Sequence, residues 1–165
     1  TSSVASMGYT PTAEHPLPFD ESKPCFPDDH VYSISKHVGE QFCHLFQRTH
    51  GLDWLILLWF GLALLVMRMT GSDVAQAHLL ALQSEVRNEV LIITAGVPFT
   101  KEDGPALLTD ARSVILKYFP AAIWFEEQGQ ALPQQVSPTY RIDKAREMIG
   151  YEPKVHFGSW LAQRV

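Results

Sequence analysis

A phenol and an ammonium stand four residues apart at Tyr32 and Lys36. On a helix this spacing sets both groups on one face, one turn apart, and the chemistry it suggests is proton transfer. A free tyrosine has a pKa near ~10 and needs a shift of roughly three units, about 4 kcal/mol, to exchange protons readily at neutrality. An ammonium ~5 Å away, at an effective dielectric of ~20, contributes about 3 kcal/mol in that direction. Such pairs also recur by chance on solvated helices, so the rest of the chain must decide.

Other reactive residue types offer less. His30, His37 and His44 recur every seven residues. Two helical turns separate successive rings by about 10 Å, whereas nitrogens sharing a zinc ion must each lie ~2.1 Å from it. Cys25 and Cys43 have no metal-ligand spacing, so no metal site is expected. Asp28 and Asp29 precede the helix where carboxylates cap free N–H groups and face the positive end of the dipole; a catalytic carboxylate pair is the alternative. His78, on a largely apolar helix, is expected to be packed rather than to act as a base. Trp124 and Phe125 are expected in the core rather than as a ligand platform.

The elements that must position the pair follow from patterning. Residues 9–27 contain Pro11, Pro16, Pro18, Pro24 and Pro27 and are expected to be loop. A helix is expected from Val31 to about His50 with Gly51 just beyond its end, anchored by an apolar stripe of Val31, Ile34, Val38, Phe42, Leu45 and Phe46. Asp53–Phe60 reads as a central parallel strand, apolar on both faces. The uncharged run Trp54–Met67 is 14 residues long, short of the ~20 a membrane-spanning helix needs, so a buried strand and no membrane are expected. Ser72 is placed to cap a helix running to Leu82. Val90–Thr94 reads as a strand. Thr100–Asp103 has the form of a capping box opening a helix through Leu107, Leu108, Ala111, Val114, Ile115 and Tyr118, stopped by Pro120. Short helices are expected over Ala121–Gln128 and from Asp143, as cap, to Gly150.

The chain has 165 residues and is 46% hydrophobic, enough for a packed core. A net charge of −5 with no Lys/Arg cluster argues against nucleic acid as a partner. Two cysteines are too few for a disulfide framework, which fits a reducing, cytoplasmic setting. No secretory signal opens the chain; it begins in the middle of a motif and is expected to be part of a larger protein.

Several stretches, in order, resemble one family. Thr1-Ser2-Ser3-Val4-Ala5-Ser6-Met7-Gly8 is similar to a Ser/Thr-rich strand end and small-residue turn. Tyr32, Ser35, Lys36 and Glu40 match a helix motif Y-x-x-S-K-x-x-x-E. The Ser72–Leu82 stretch is similar to D-V-A-x-A-H-x-x-A-L, Val90–Gly96 to Y-N-I-G-S-G, and Tyr140–Lys154 to a closing D-x-S-K-A-R-R-E-L-G-W-x-P-K. The chain thus resembles the extended short-chain dehydrogenase/reductase superfamily, in its NAD-dependent epimerase/dehydratase group. The resemblance implies an α/β chain, the C-terminal half of a Rossmann-like doubly wound parallel sheet over residues 1–98, followed by a small, mainly helical substrate lobe over 99–165. It implies redox chemistry on a carbonyl or carbinol, expected to be that of a nucleotide sugar. Tyr32 would be the acid/base, Lys36 would lower its pKa and hydrogen-bond the nicotinamide ribose, and Ser3, at the family's Ser/Thr position, would orient the reacting oxygen. A bound oxidised nicotinamide, itself cationic, would complete the tyrosine's shift. A homodimer is compatible with the resemblance.

The chain also departs from this pattern. Met7 replaces the usual Tyr, Leu58 stands where relatives carry Arg, Gly61 stands near their Asn, and Arg68–Gly71 leads straight into a helix where relatives insert further substrate-domain sequence. No G-x-x-G-x-x-G turn is present, so the cofactor, NAD or NADP, could be held only at its nicotinamide end. Two other readings stay open: a reductase of small carbonyl compounds, and a non-catalytic remnant that acts as a binding or structural module.

Overall fold

The computed structural model describes residues 1–60 and 69–165. Its centre is a parallel three-stranded sheet of β1 (Ser2–Ser3), β2 (Leu55–Trp59) and β3 (Glu89–Ile93), in that order. Ser3 pairs with Trp59, and Trp59 with Ile93, so the three strands end level. The strand expected over 53–60 is therefore central and parallel. Gly61–Arg68, including the rest of the uncharged run and the Gly61 position, lie outside the described residues. Among the described residues, no helix is long and apolar enough to cross a membrane.

Each crossover carries a helix. A 3₁₀ turn (Val4–Met7) and the proline-rich loop lead to α1 (Val31–His50), which returns to β2. Gly51 closes α1 in the left-handed conformation, φ 67°. Helix α2 (Gly71–Gln83) packs on β2 and leads to β3. After β3 come α3 (Gly104–Thr109), α4 (Ala111–Tyr118), α5 (Ile123–Glu127), α6 (Asp143–Ile149) and α7 (Phe157–Leu161). The single helix expected after the Thr100 capping box is broken at Asp110, whose side chain accepts from Ser113 N to begin α4. The capping box itself is present.

Two expected caps fall on neighbouring residues and a third is not made. His30, rather than Asp28 or Asp29, caps α1 by accepting from Tyr32 N. Thr70, rather than Ser72, caps α2, in a reciprocal box with Asp73. Asp143 makes no cap hydrogen bond; its carboxylate accepts instead from Arg141 Nε at 2.5 Å. For α1 and α2 a neighbouring residue supplies the side-chain acceptor, whereas α6 starts after Ile142 with no side-chain cap.

The core joins Val4, Met7, Leu58, Leu91, Ile92, Ile93, Leu107, Ile115, Tyr140, Tyr151 and Phe157, all at most 1% exposed. Phe125 is buried within it and Trp124 packs against it, as expected for core residues. Helix α1 departs from expectation most. Val31, Ile34, Val38, Phe42, Leu45 and Phe46 are all exposed, between 42% and 82%. The buried side chains of α1 are Ser33 and Glu40, with Lys36, His37, Cys43, His44 and Gln47 half-buried around them. The apolar stripe therefore does not anchor the helix: its polar face meets β1 and the 3₁₀ turn.

Candidate active site

The site is assembled where β1 ends, the position at which open parallel sheets bind ligands. Ser3 closes β1 and caps the 3₁₀ turn, its Oγ accepting from Ala5 N at 3.3 Å. The turn ends at Gly8, φ 68°. A Cβ there would collide with the Phe26 carbonyl oxygen, so the turn requires glycine both for its dihedral and for the close approach of the loop. Lys23, 8% exposed, donates from Nζ to the Met7 carbonyl and lies over the Phe19 ring, fastening the proline-rich loop to this turn. Burial pushes the Lys23 ammonium down.

Tyr32 and Lys36 lie in the first two turns of α1. The Lys36 Nζ is 5.5 Å from the centroid of the Tyr32 ring, so the i, i+4 spacing does bring phenol and ammonium together. Tyr32 is 46% exposed, and its ring is open to an incoming molecule. No direct hydrogen bond joins Ser3 to Tyr32; α1 packs on β1 and on the turn that Ser3 caps. Lys36 also lines a cavity of about 220 Å³ with Thr1, Ser2, Glu40, Cys43 and Ile56, between α1 and the start of β1 and β2.

Two residues near this place carry no signal in spacing. Burial pushes the Tyr9 phenol up, and the charges of Asp28 and Tyr32 add to the shift. Burial likewise raises Tyr140, and the charges of Tyr9 and Asp28 add to the shift. The signal for Tyr9 was its place directly after the required Gly8. Tyr140 lies far along the chain, and the parallel bridge between Phe19 and Tyr140, with ring packing on Phe60, brings it here.

His78 is engaged through both ring nitrogens, Nδ1 with the Val74 carbonyl at 2.8 Å and Nε2 with Thr1 Oγ1 at 2.6 Å. That suits a packed histidine. A second cavity, about 240 Å³, opens beyond β3 between Gly96, Phe119, Arg146, Glu152 and His156. Its arginine is gripped in a bidentate pair by Glu152 at 2.8 and 2.9 Å, so the charge is already met within the chain. Spacing along α1 excluded His30, His37 and His44 as a ligand set, but the fold gathers a different one, Cys25, His37 and Glu40. Burial, reinforced by the Glu40 charge, pushes the Cys25 thiol up to about 11, so at neutrality it is no ready nucleophile.

No protein-family model matches the sequence, and no curated protein does. Solved structures do. The chain superposes on a UDP-glucuronic acid 4-epimerase from Bacillus cereus in complex with NAD, with a TM-score of 0.58 at 15% identity. It superposes on RMD from Pseudomonas aeruginosa complexed with NADPH, TM-score 0.61 at 18% identity. A dTDP-glucose 4,6-dehydratase from Bacillus anthracis in complex with NAD matches with a TM-score of 0.60 at 16% identity. These alignments cover 97%, 98% and 97% of this chain but only 57%, 62% and 57% of the others, so the chain spans less than two thirds of each. Over nearly its whole length, the chain has the Rossmann-like α/β fold of these nucleotide-binding enzymes.

Proposed function

We propose that the chain carries the catalytic helix and substrate lobe of an NAD(P)-dependent epimerase/dehydratase of the extended short-chain dehydrogenase/reductase superfamily, acting on a nucleotide sugar. The observation that carries this reading is the Tyr32–Lys36 pair, its groups together one turn apart on the helix that follows β1. It is supported by structural likeness to a UDP-glucuronic acid 4-epimerase and a dTDP-glucose 4,6-dehydratase.

In this reading Tyr32 takes or returns the proton of the substrate carbinol or carbonyl, with the Lys36 ammonium beside its ring. Ser3, at the end of β1, orients the same oxygen. When bound, the nicotinamide accepts or supplies the hydride. Lys36 is the residue of this chain placed to hold the nicotinamide ribose, and Tyr32 lies beside it. The pyrophosphate has no counterpart: the sequence contains no Gly-rich turn to present N–H groups to it. Residues 99–165 form the lobe that meets the substrate. The free thiols of Cys25 and Cys43 suit the cytoplasm. The exposed apolar face of α1 is where a second copy docks about a two-fold axis, because so contiguous an apolar surface does not suit a monomer.

A titration with NAD and NADP tests the reading. The chain alone is expected to show little affinity, since each missing charge-assisted hydrogen bond removes about 1.5–3 kcal/mol. Supplying a Gly-rich nucleotide-binding half as a second polypeptide is expected to restore binding. Micromolar affinity of the chain alone would place the cofactor elsewhere.

A further inference from the structure

Where the proline-rich loop crosses α1, three side chains with metal-ligating atoms converge. Cys25 comes from the loop, while His37 and Glu40, three residues apart on α1, share its inner face. The thiol sulfur, one imidazole nitrogen and one carboxylate oxygen all lie within 4.8 Å of one another. Cys25 Sγ is 3.7 Å from Glu40 Oε2. A tetrahedral zinc with bonds of ~2.3 Å to sulfur and ~2.1 Å to oxygen separates those two ligands by ~3.6 Å. Protein atoms alone leave the cluster incomplete, because His37 Nδ1 is buried without a hydrogen-bond partner. Buried polar atoms are seldom left so. Glu40, only 5% exposed, has its other oxygen fixed by the Ser2 hydroxyl, the kind of outer contact that orients a ligating carboxylate.

We propose that Cys25, His37 and Glu40 form a zinc site that ties the proline-rich loop to α1. A sulfur, nitrogen and oxygen donor set selects zinc over magnesium or calcium, which prefer oxygen alone. A thiolate and a carboxylate together offset the dipositive charge, and the imidazole binds neutral. On binding, the Cys25 S–H bond breaks, its proton leaves to solvent and the S–Zn bond forms, with no change of oxidation state. Three protein ligands leave the fourth position to water. The site does not depend on the redox reading of Tyr32 and Lys36.

The test is a titration of the reduced, chelator-stripped chain with Co²⁺ as a spectroscopic probe, followed by displacement with Zn²⁺. One equivalent is expected to give the bands of four-coordinate cobalt and a thiolate-to-cobalt charge-transfer band, both removed by zinc. Cys25→Ser is expected to abolish the charge-transfer band, and His37→Ala to weaken binding about a hundredfold or more, since loss of merely an outer-shell partner costs about 10–100-fold. Cys43→Ser, which alters the other free thiol, on α1, should change neither. In the unaltered chain, one equivalent of Zn²⁺ should slow alkylation of Cys25 but not of Cys43, a readout that needs no variant to fold. Absence of stoichiometric binding, a charge-transfer band that survives Cys25→Ser, or equal alkylation of the two thiols with and without zinc would overturn the assignment.

Discussion

Helix α1 and the helices after β3 bury opposite kinds of surface. Beyond β3 the arrangement is that of an ordinary core: Phe119 meets Phe157 edge-on at 4.9 Å, and Phe125 stacks with Trp160 at 5.8 Å. Apart from the buried Asp103, its ion pairs lie toward the surface, as in the Arg112–Glu126 pair at 2.6 Å between α4 and α5. Helix α1 turns Ser33, Lys36, His37 and Glu40 inward and leaves Phe42, Leu45 and Phe46 to solvent. Buried apolar area stabilises at about 25 cal/mol per Å², so the later helices hold the fold together while α1 contributes little of that kind. The polar inner face of α1 carries Lys36 and the side chains of the proposed zinc site, and its apolar outer face is the surface on which the proposed second copy would dock.

The largest expected effect breaks the better-packed side of this comparison. Phe157→Ala removes a ring that is 1% exposed at the centre of the aromatic cluster. It is expected to cost about 3–5 kcal/mol in chemical denaturation. Gly8→Ala should rank second. It forces a side chain into a left-handed dihedral and against the Phe26 carbonyl, and is expected to cost about 1–3 kcal/mol.

A smaller effect comes from Asp103, which is 6% exposed. Burial raises its pKa, but hydrogen bonds from Lys117, Thr100 and Tyr118 outweigh that and hold the carboxyl at about 2, against an ordinary 3.8. A depressed acid stabilises the fold above its unfolded pKa and loses that contribution as pH falls through its folded value. Stability measured from pH 5 downward should therefore fall between about 4 and 2. Asp103→Asn should flatten that dependence and cost about 1–2 kcal/mol at neutral pH, discounted because Lys117 is well exposed.

The smallest effect on stability belongs to the outer face of α1. Phe42→Gln with Phe46→Gln should change the stability of the monomer by no more than about 0.5 kcal/mol. The same pair should abolish self-association in sedimentation. A loss of stability comparable with Phe157→Ala would show that this face is covered within the chain.

What the sequence made legible was local. The extent of α1, the two longer strands, the Thr100–Asp103 box and the Gly150 stop each follow from a few adjacent residues. The Tyr32–Lys36 approach followed from helical geometry alone. Periodicity assigned Val31, Ile34 and Val38 to one face but could not say which way that face turns, and apolar inward was the wrong choice. Cys25 and Glu40 are joined only by the path of the loop, as are Tyr9 and Tyr140, so spacing along α1 excluded a histidine cluster and missed the mixed one.

The central claim is that Tyr32 on α1 moves the proton. With the chain complemented by a Gly-rich nucleotide-binding half, turnover of a nucleotide sugar and cofactor affinity are measured for the unaltered protein and for Tyr32→Phe. The account predicts that turnover falls by about 10²–10⁴-fold or more while the cofactor dissociation constant stays nearly the same. Turnover that survives Tyr32→Phe would contradict it.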